Sequence, residues 1–144
     1  MIENVKAIRE FAGDRAVLRA FHFFEENKRV DAEVEALEKK DFATFFNKIT
    51  ESGDSSWKWL QNCYCNETPD EQSITVALAL TKLYLDKIGR GVCRVHGGGF
   101  AGVIAAFLPK EETEGFTKYI DKALGEGSAY VMHIRPQGAV KVEF

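Results

Sequence analysis

The sequence predicts an α+β domain in which a small, mostly antiparallel sheet packs with helices. Apolar residues recur at three- and four-residue steps through the first half, the period of amphipathic helices. Short runs rich in branched and aromatic residues, with one helical segment between them, dominate the second half. The chain holds no internal repeat and no linker-like stretch, so residues 1–144 read as a single domain.

Ile2–Phe11 is a short amphipathic segment ended by Gly13. Asp14 then caps a long helix to about Lys40, with Val17, Phe21, Phe24, Val34 and Leu37 expected on its core side. Glu25, Glu26, Lys28, Arg29, Glu33, Glu35 and Glu38 make its solvated face, and Lys39 and Lys40 suit the negative end of its dipole. Asp41 N-caps a third helix, whose Phe42, Phe45, Phe46 and Ile49 form a core stripe stopped by Ser52-Gly53-Asp54. Residues 55–65 carry Trp57 and Trp59 and fit a short helix or an irregular loop.

Thr68-Pro69-Asp70-Glu71 combines a capping box with Pro at the first helical position. The helix it opens continues through Ile74, Ala77, Leu78, Thr81 and Leu85 to Gly89, which suits a left-handed stop. Val92–Val95 and Val103–Leu108 are strands on either side of three consecutive glycines. Pro109 breaks the pattern, and a helix from about Glu111 to Leu124 presents Phe116, Tyr119, Ile120 and Ala123 before Gly125. Tyr130–Ile134 and Ala139–Phe144 read as two final strands, turned at Pro136-Gln-Gly138.

Composition narrows the function classes. A net charge of −3 gives no reason to expect nucleic acid or an anionic membrane as partner. No run approaches the ~20 apolar residues of a membrane-spanning helix. Cys63, Cys65 and Cys93 are an odd count without framework spacing, which argues for a reducing compartment and a cytoplasmic location. Cys63-x-Cys65 has no second Cys pair and no closely spaced His pair, so no metal site is expected.

The glycine run is the chemically informative stretch. Three adjacent glycines carry a large entropic cost, so they answer a need for positive φ or for close approach of backbone. Free N–H groups in such a turn also form an anion nest. Gly97-Gly-Gly99-Phe-Ala-Gly102 satisfies G-x-G-x-x-G, but it opens a strand-like run instead of a helix, against a dinucleotide site. The Gly-Lys-Ser/Thr of a phosphate loop is absent, and Ser128 lacks the flanking glycines of an esterase nucleophile. A purely structural reading, a tight connection between paired strands, stands beside the ligand reading.

Arg94-Val-His-Gly-Gly-Gly-Phe-Ala-Gly102 and the apolar strand after it closely resemble the third conserved motif of galactokinases, members of the GHMP superfamily of small-molecule kinases. Arg19-Ala-Phe-His-Phe-Phe-Glu-Glu-Asn27-Lys-Arg-Val30 is similar to the family's R-A-x-H-x-x-x-E-x-x-R-V helix. Glu51-Ser-Gly-Asp-Ser-Ser56 resembles its E-S-H/G-x-S segment, and His133-Ile-Arg-Pro-Gln-Gly138 the I-R-P-x-G tail. His96 and Gly53 depart from the commoner superfamily residues and resemble one bacterial branch.

The resemblance covers the C-terminal domain and implies its ferredoxin-like α+β fold. It also implies a parent enzyme that phosphorylates galactose at the anomeric hydroxyl using ATP and Mg²⁺. The family's phosphate-cradling G-L-S-S-S loop, sugar site and catalytic Asp lie in an N-terminal domain, and no such run occurs here. The N-terminal domain of the same kinase is therefore the implied partner, with galactose and ATP bound in the complete enzyme and not tightly by this chain. Gly97, Gly98, Gly99, Phe100 and Gly102 are implied to pack beside the phosphate loop, with Arg94 and His96 at the interdomain cleft. Glu51 and Ser52 either contact the neighbouring domain or mark a helix end. Arg135 reads as a structural ion-pair partner, and no residue takes a catalytic role. An apolar face meant for the missing domain would promote self-association. The rival reading is a stand-alone, non-catalytic module that senses a sugar or nucleotide.

Overall fold

The computed structural model describes residues 2–99, 102–138, 140 and 141. Among them lie α1 (Val5–Ala12), α2 (Asp14–Glu38), α3 (Phe42–Ser55), α4 (Ser73–Ile88), β1 (Val92–Val95), β2 (Ile104–Phe107) and α5 (Thr113–Leu124). Tight 3₁₀ turns, Ile2–Asn4 and Lys110–Glu112, precede α1 and α5, and a π-helical turn at Ser56–Leu60 continues α3. The architecture is α+β and mostly helical, with a two-stranded antiparallel sheet. The chain divides into two compact units, Met1–Pro109 and Lys110–Phe144.

In the first unit, α2 packs on α3, and β1 packs against both α3 and α4. The strands pair Val92 with Phe107, Cys93 with Ala106, Arg94 with Ala105 and Val95 with Ile104. Cys63, Ile74 and Val95 are buried together, with Tyr64, Leu78 and Ile104 packed around them. Phe46 reaches Phe107 with ring centroids 6.5 Å apart, tying α3 to the hairpin. The expected α4 face is also the observed one, with Ile74, Thr81 and Leu85 buried.

Local chemistry explains most boundaries. The Asp41 carboxylate accepts from the Thr44 N–H at 3.0 Å, the expected N-cap of α3. Gly89, at φ 69°, ends α4 in the left-handed conformation. Other expectations are corrected. Asp14 does not cap α2; Gly13 holds that position, and the Asp14 side chain pairs with Arg9 instead.

Ser52-Gly53-Asp54 does not stop α3, because Ser52 and Gly53 face inward and are used for close packing, so the helix runs on into the π turn. The π turn ends at Gln61, which is left-handed at φ 57°. Thr68 does not cap α4. Its carbonyl accepts from the Glu71 N–H at 3.0 Å in a separate turn, and the helix starts at Ser73.

The stripes on α2 and α3 also differ from expectation. Phe42 is 56% exposed, leaving Ile49 as the buried member of its stripe. Of the α2 stripe only Val17 is buried, while Phe24, Val34 and Leu37 are exposed. The inward side of α2 instead carries Glu26, Arg29 and Glu33; Glu26 has partners on α3 and β1, and Arg29 pairs with Glu26.

In the second unit, α5 buries Ile120 and ends at Gly125, whose N–H donates to the Asp121 carbonyl at 2.9 Å. The Asp121 carboxylate accepts from the Ala129 N–H at 3.0 Å. Tyr130–Ile134 is not a strand. A strand needs a partner ladder, and Tyr130, Val131, Met132 and Ile134 stay exposed with no such partner among the described residues. Of the strand expected at Ala139–Phe144, Val140 and Lys141 are not in a strand and the rest lies outside the described residues.

Candidate functional site

Helix α2 presents His22, Glu26, Arg29, Glu33 and Ala36 along one line, at alternating steps of four and three. Glu26 is the hub. One carboxylate oxygen accepts from the Ser52 hydroxyl of α3 and from Arg94 Nη1 of β1, the latter at 3.2 Å. The other accepts from Arg29 Nε at 2.8 Å. Arg94 Nη1 also donates to Ser52 Oγ, and its Nε donates to the Val95 carbonyl at 3.0 Å. These side chains are enclosed, 22% exposed for Glu26 and 11% for Arg29, so removing one partner would leave a charge shut away from water. Gly53 makes the approach possible, since a Cβ there would lie 3.0 Å from Arg94 Cβ.

The electrostatics follow from this enclosure. Burial favours the neutral acid at Glu26. Hydrogen bonds from Ser52 and Arg29 and the charges of Arg94 and Arg29 outweigh it, so the carboxyl sits below its ordinary range. Burial pushes Glu33 up, and the charges of Arg94 and Arg29 offset it only in part. Burial also pulls His22 below its ordinary value, with Glu26 opposing and Arg29 and Arg94 adding. His22 Nδ1 lies 2.9 Å from Ser55 Oγ on α3.

The glycine loop leaves β1 directly above this cluster. The His96 N–H donates to the Val103 carbonyl at 3.0 Å, extending the hairpin ladder by one pair. Gly97, Gly99 and Gly102 have φ of 60°, 84° and 79°, a region that L side chains avoid. The Gly102 N–H closes a turn onto the Gly99 carbonyl at 2.9 Å. Gly99 is buried, and a Cβ there would lie 2.2 Å from the Asn62 carbonyl oxygen. Gly97 and Gly98 are exposed, and a Cβ on either would meet nothing within 4 Å. Both structural needs are therefore met in one loop: positive φ at Gly97, and positive φ with close approach at Gly99.

The expected site residues separate into two groups. Gly97, Gly98, Gly99 and Gly102 form the loop with exposed His96 at its start, while Phe100 lies outside the described residues. Arg94 is turned into the interior and engaged by Glu26, Ser52 and the Val95 carbonyl. Glu51 stays on the helix surface with Lys48 and Asn47, and Arg135 is exposed in the second unit. Asn62 gave no sequence signal. It is 2% exposed, its Nδ2 has no hydrogen-bond partner, and its backbone carries Gly99.

No group of three or more His, Cys, Asp or Glu side chains able to hold a metal ion occurs among the described residues. Among them, too, no helix is long and apolar enough to cross a membrane. The arrangement offers exposed main chain without side chains at Gly97 and Gly98, beside a strand that is ion-paired to α2 through Arg94 and Glu26. Comparison with known proteins adds no relative: no family model, no curated protein and no solved structure matches the chain.

Proposed function

We propose that this chain is the C-terminal domain of a galactokinase-like sugar kinase, of the ferredoxin-like type found in the GHMP superfamily. The parent enzyme transfers the γ-phosphoryl group of Mg-ATP to the anomeric hydroxyl of galactose in the cytoplasm. One observation carries the reading. Three segments that resemble the family, far apart in sequence, meet at a single point: Glu26 and Arg29 from the first, Ser52 from the second, and Arg94 from the glycine motif. Unrelated likenesses have no reason to share an ion-paired junction.

In this reading Gly97, Gly98, Gly99, Phe100 and Gly102 pack beside the phosphate loop of the N-terminal domain, and His96 faces the cleft between domains. The glycines of the loop let the two backbones approach and orient N–H groups toward transferring phosphate. The chain supplies one wall of the site. In-line positioning, Mg²⁺ and the catalytic base belong to the other half.

The test is the size of the native polypeptide in its source cell, read with an antibody against this chain. A band well above 16.2 kDa, with galactose-dependent ATP consumption by the full polypeptide, is expected. A band at 16.2 kDa would overturn the reading in favour of a stand-alone sensing module.

A further inference from the structure

We propose that Glu26 is a positioning residue for the glycine loop and that it acts through Arg94. The inference goes beyond the kinase reading and does not depend on it.

A guanidinium is planar and rigid, so fixing one of its nitrogens fixes the direction of the others. Glu26 and Ser52 hold Arg94 Nη1, and the same plane then aims Nε at the Val95 carbonyl. Val95 is 1% exposed and is the last residue before the loop begins at His96. The Glu26 carboxylate therefore sets the orientation of the peptide that leads into the loop, from a helix far away in sequence.

Two further anchors act on the loop: the His96 N–H of that same peptide on the Val103 carbonyl, and the close approach of Gly99 to Asn62. Gly97 and Gly98 are exposed and have no side chains to fix them. Their placement is inherited from the two ends of the loop. At the β1 end the carbonyl side of the peptide is held by the Arg94 guanidinium, which Glu26 and Ser52 hold in turn. Arg29 completes the arrangement by holding the second carboxylate oxygen, so that Glu26 cannot rotate away from Arg94.

The test is amide hydrogen exchange on the full chain, resolved by residue, without nucleotide or sugar. Its failure would leave the kinase reading untouched, just as the polypeptide size leaves this inference untouched. The His96 N–H is the reporter, because its bond to Val103 closes the base of the loop. In E26Q the side-chain shape is kept, but one oxygen becomes an NH₂ that faces donors. His96 should exchange about tenfold faster, the factor that one charge-assisted hydrogen bond is worth at a locally opening site. Amides in the middle of α2 and α3 should be unchanged.

R94K supplies the readout that a merely structural ion pair would not move. Its ammonium can meet the carboxylate or the Val95 carbonyl, but it lacks the rigid fork that joins them. The charge pair is kept, and His96 protection should still be lost. If E26Q does not fold, S52A deletes one donor to the same carboxylate, and a smaller loss confined to His96 is expected. Unchanged His96 exchange in a folded variant would overturn the proposal. So would a loss shared equally by α2 and α3.

Discussion

Gly97 and Gly99 share a loop and a positive φ, yet a methyl group would meet open space at one and the Asn62 carbonyl at the other. Gly97→Ala should therefore cost about 1–2 kcal/mol, the left-handed penalty alone. Gly99→Ala should cost clearly more, because backbone must also move; chemical denaturation of the two variants makes the comparison. His22 and Glu26 set the acid limb of stability. Both folded values are depressed, so each contribution is complete above the unfolded value and is lost as pH falls through the folded one. The His22 window opens below about pH 6.5 and the Glu26 window below about pH 4.3. Glu33, raised by burial, has the opposite sign: its contribution is complete at low pH and is lost as pH rises through its folded value. Urea midpoints of H22Q should fall less steeply than those of the parent as pH drops below about 6.5. The charges at Glu26, Arg29 and Glu33 were illegible as interior groups. Periodicity assigns charge to water, and only partners distant in sequence, Ser52 and Arg94, reverse that assignment.

Helix α3 is where element-level reasoning both succeeds and fails. Its start follows from one side chain, so Asp41→Ala should destabilise by about 1 kcal/mol. Thr68→Ala should stay within about 0.5 kcal/mol, because Thr68 stands outside α4 and its capping pattern is unused. Its end was misread because glycine in a helix signals a stop, whereas Gly53 marks the crossing of β1 over α3. Gly53→Ala is a direct test of that crossing. Helix propensity alone would stabilise the variant by about 0.5–1 kcal/mol. A net loss in thermal unfolding is expected, because the new methyl group presses on Arg94 Cβ. The hairpin, α4 and α5 were legible because their signals are local: branched residues beside glycine, a left-handed stop, and an apolar face. The expected strand at Tyr130–Ile134 failed because composition cannot supply the neighbour that a strand requires.

For the molecule as a whole, the proposed kinase reading makes the glycine loop one wall of a site completed by another domain, and it predicts no galactose-dependent ATP consumption by the purified chain in a coupled assay. Phe11, Phe23 and Phe42 are exposed, and a complementary domain missing from the chain would leave further apolar surface open to self-association in the proposed reading. Sedimentation should therefore depend on concentration, and a strictly monomeric profile at high concentration would count against that expectation. The junction at Glu26 has one more consequence, in temperature. Warming makes the hydration of charge less favourable and so lowers the cost of keeping Glu26, Arg29 and Arg94 out of water. The stabilisation from the apolar cluster around Val95 instead levels off on warming. The ionic tie between the helices and the hairpin is thus the part of the first unit whose relative weight grows with heat.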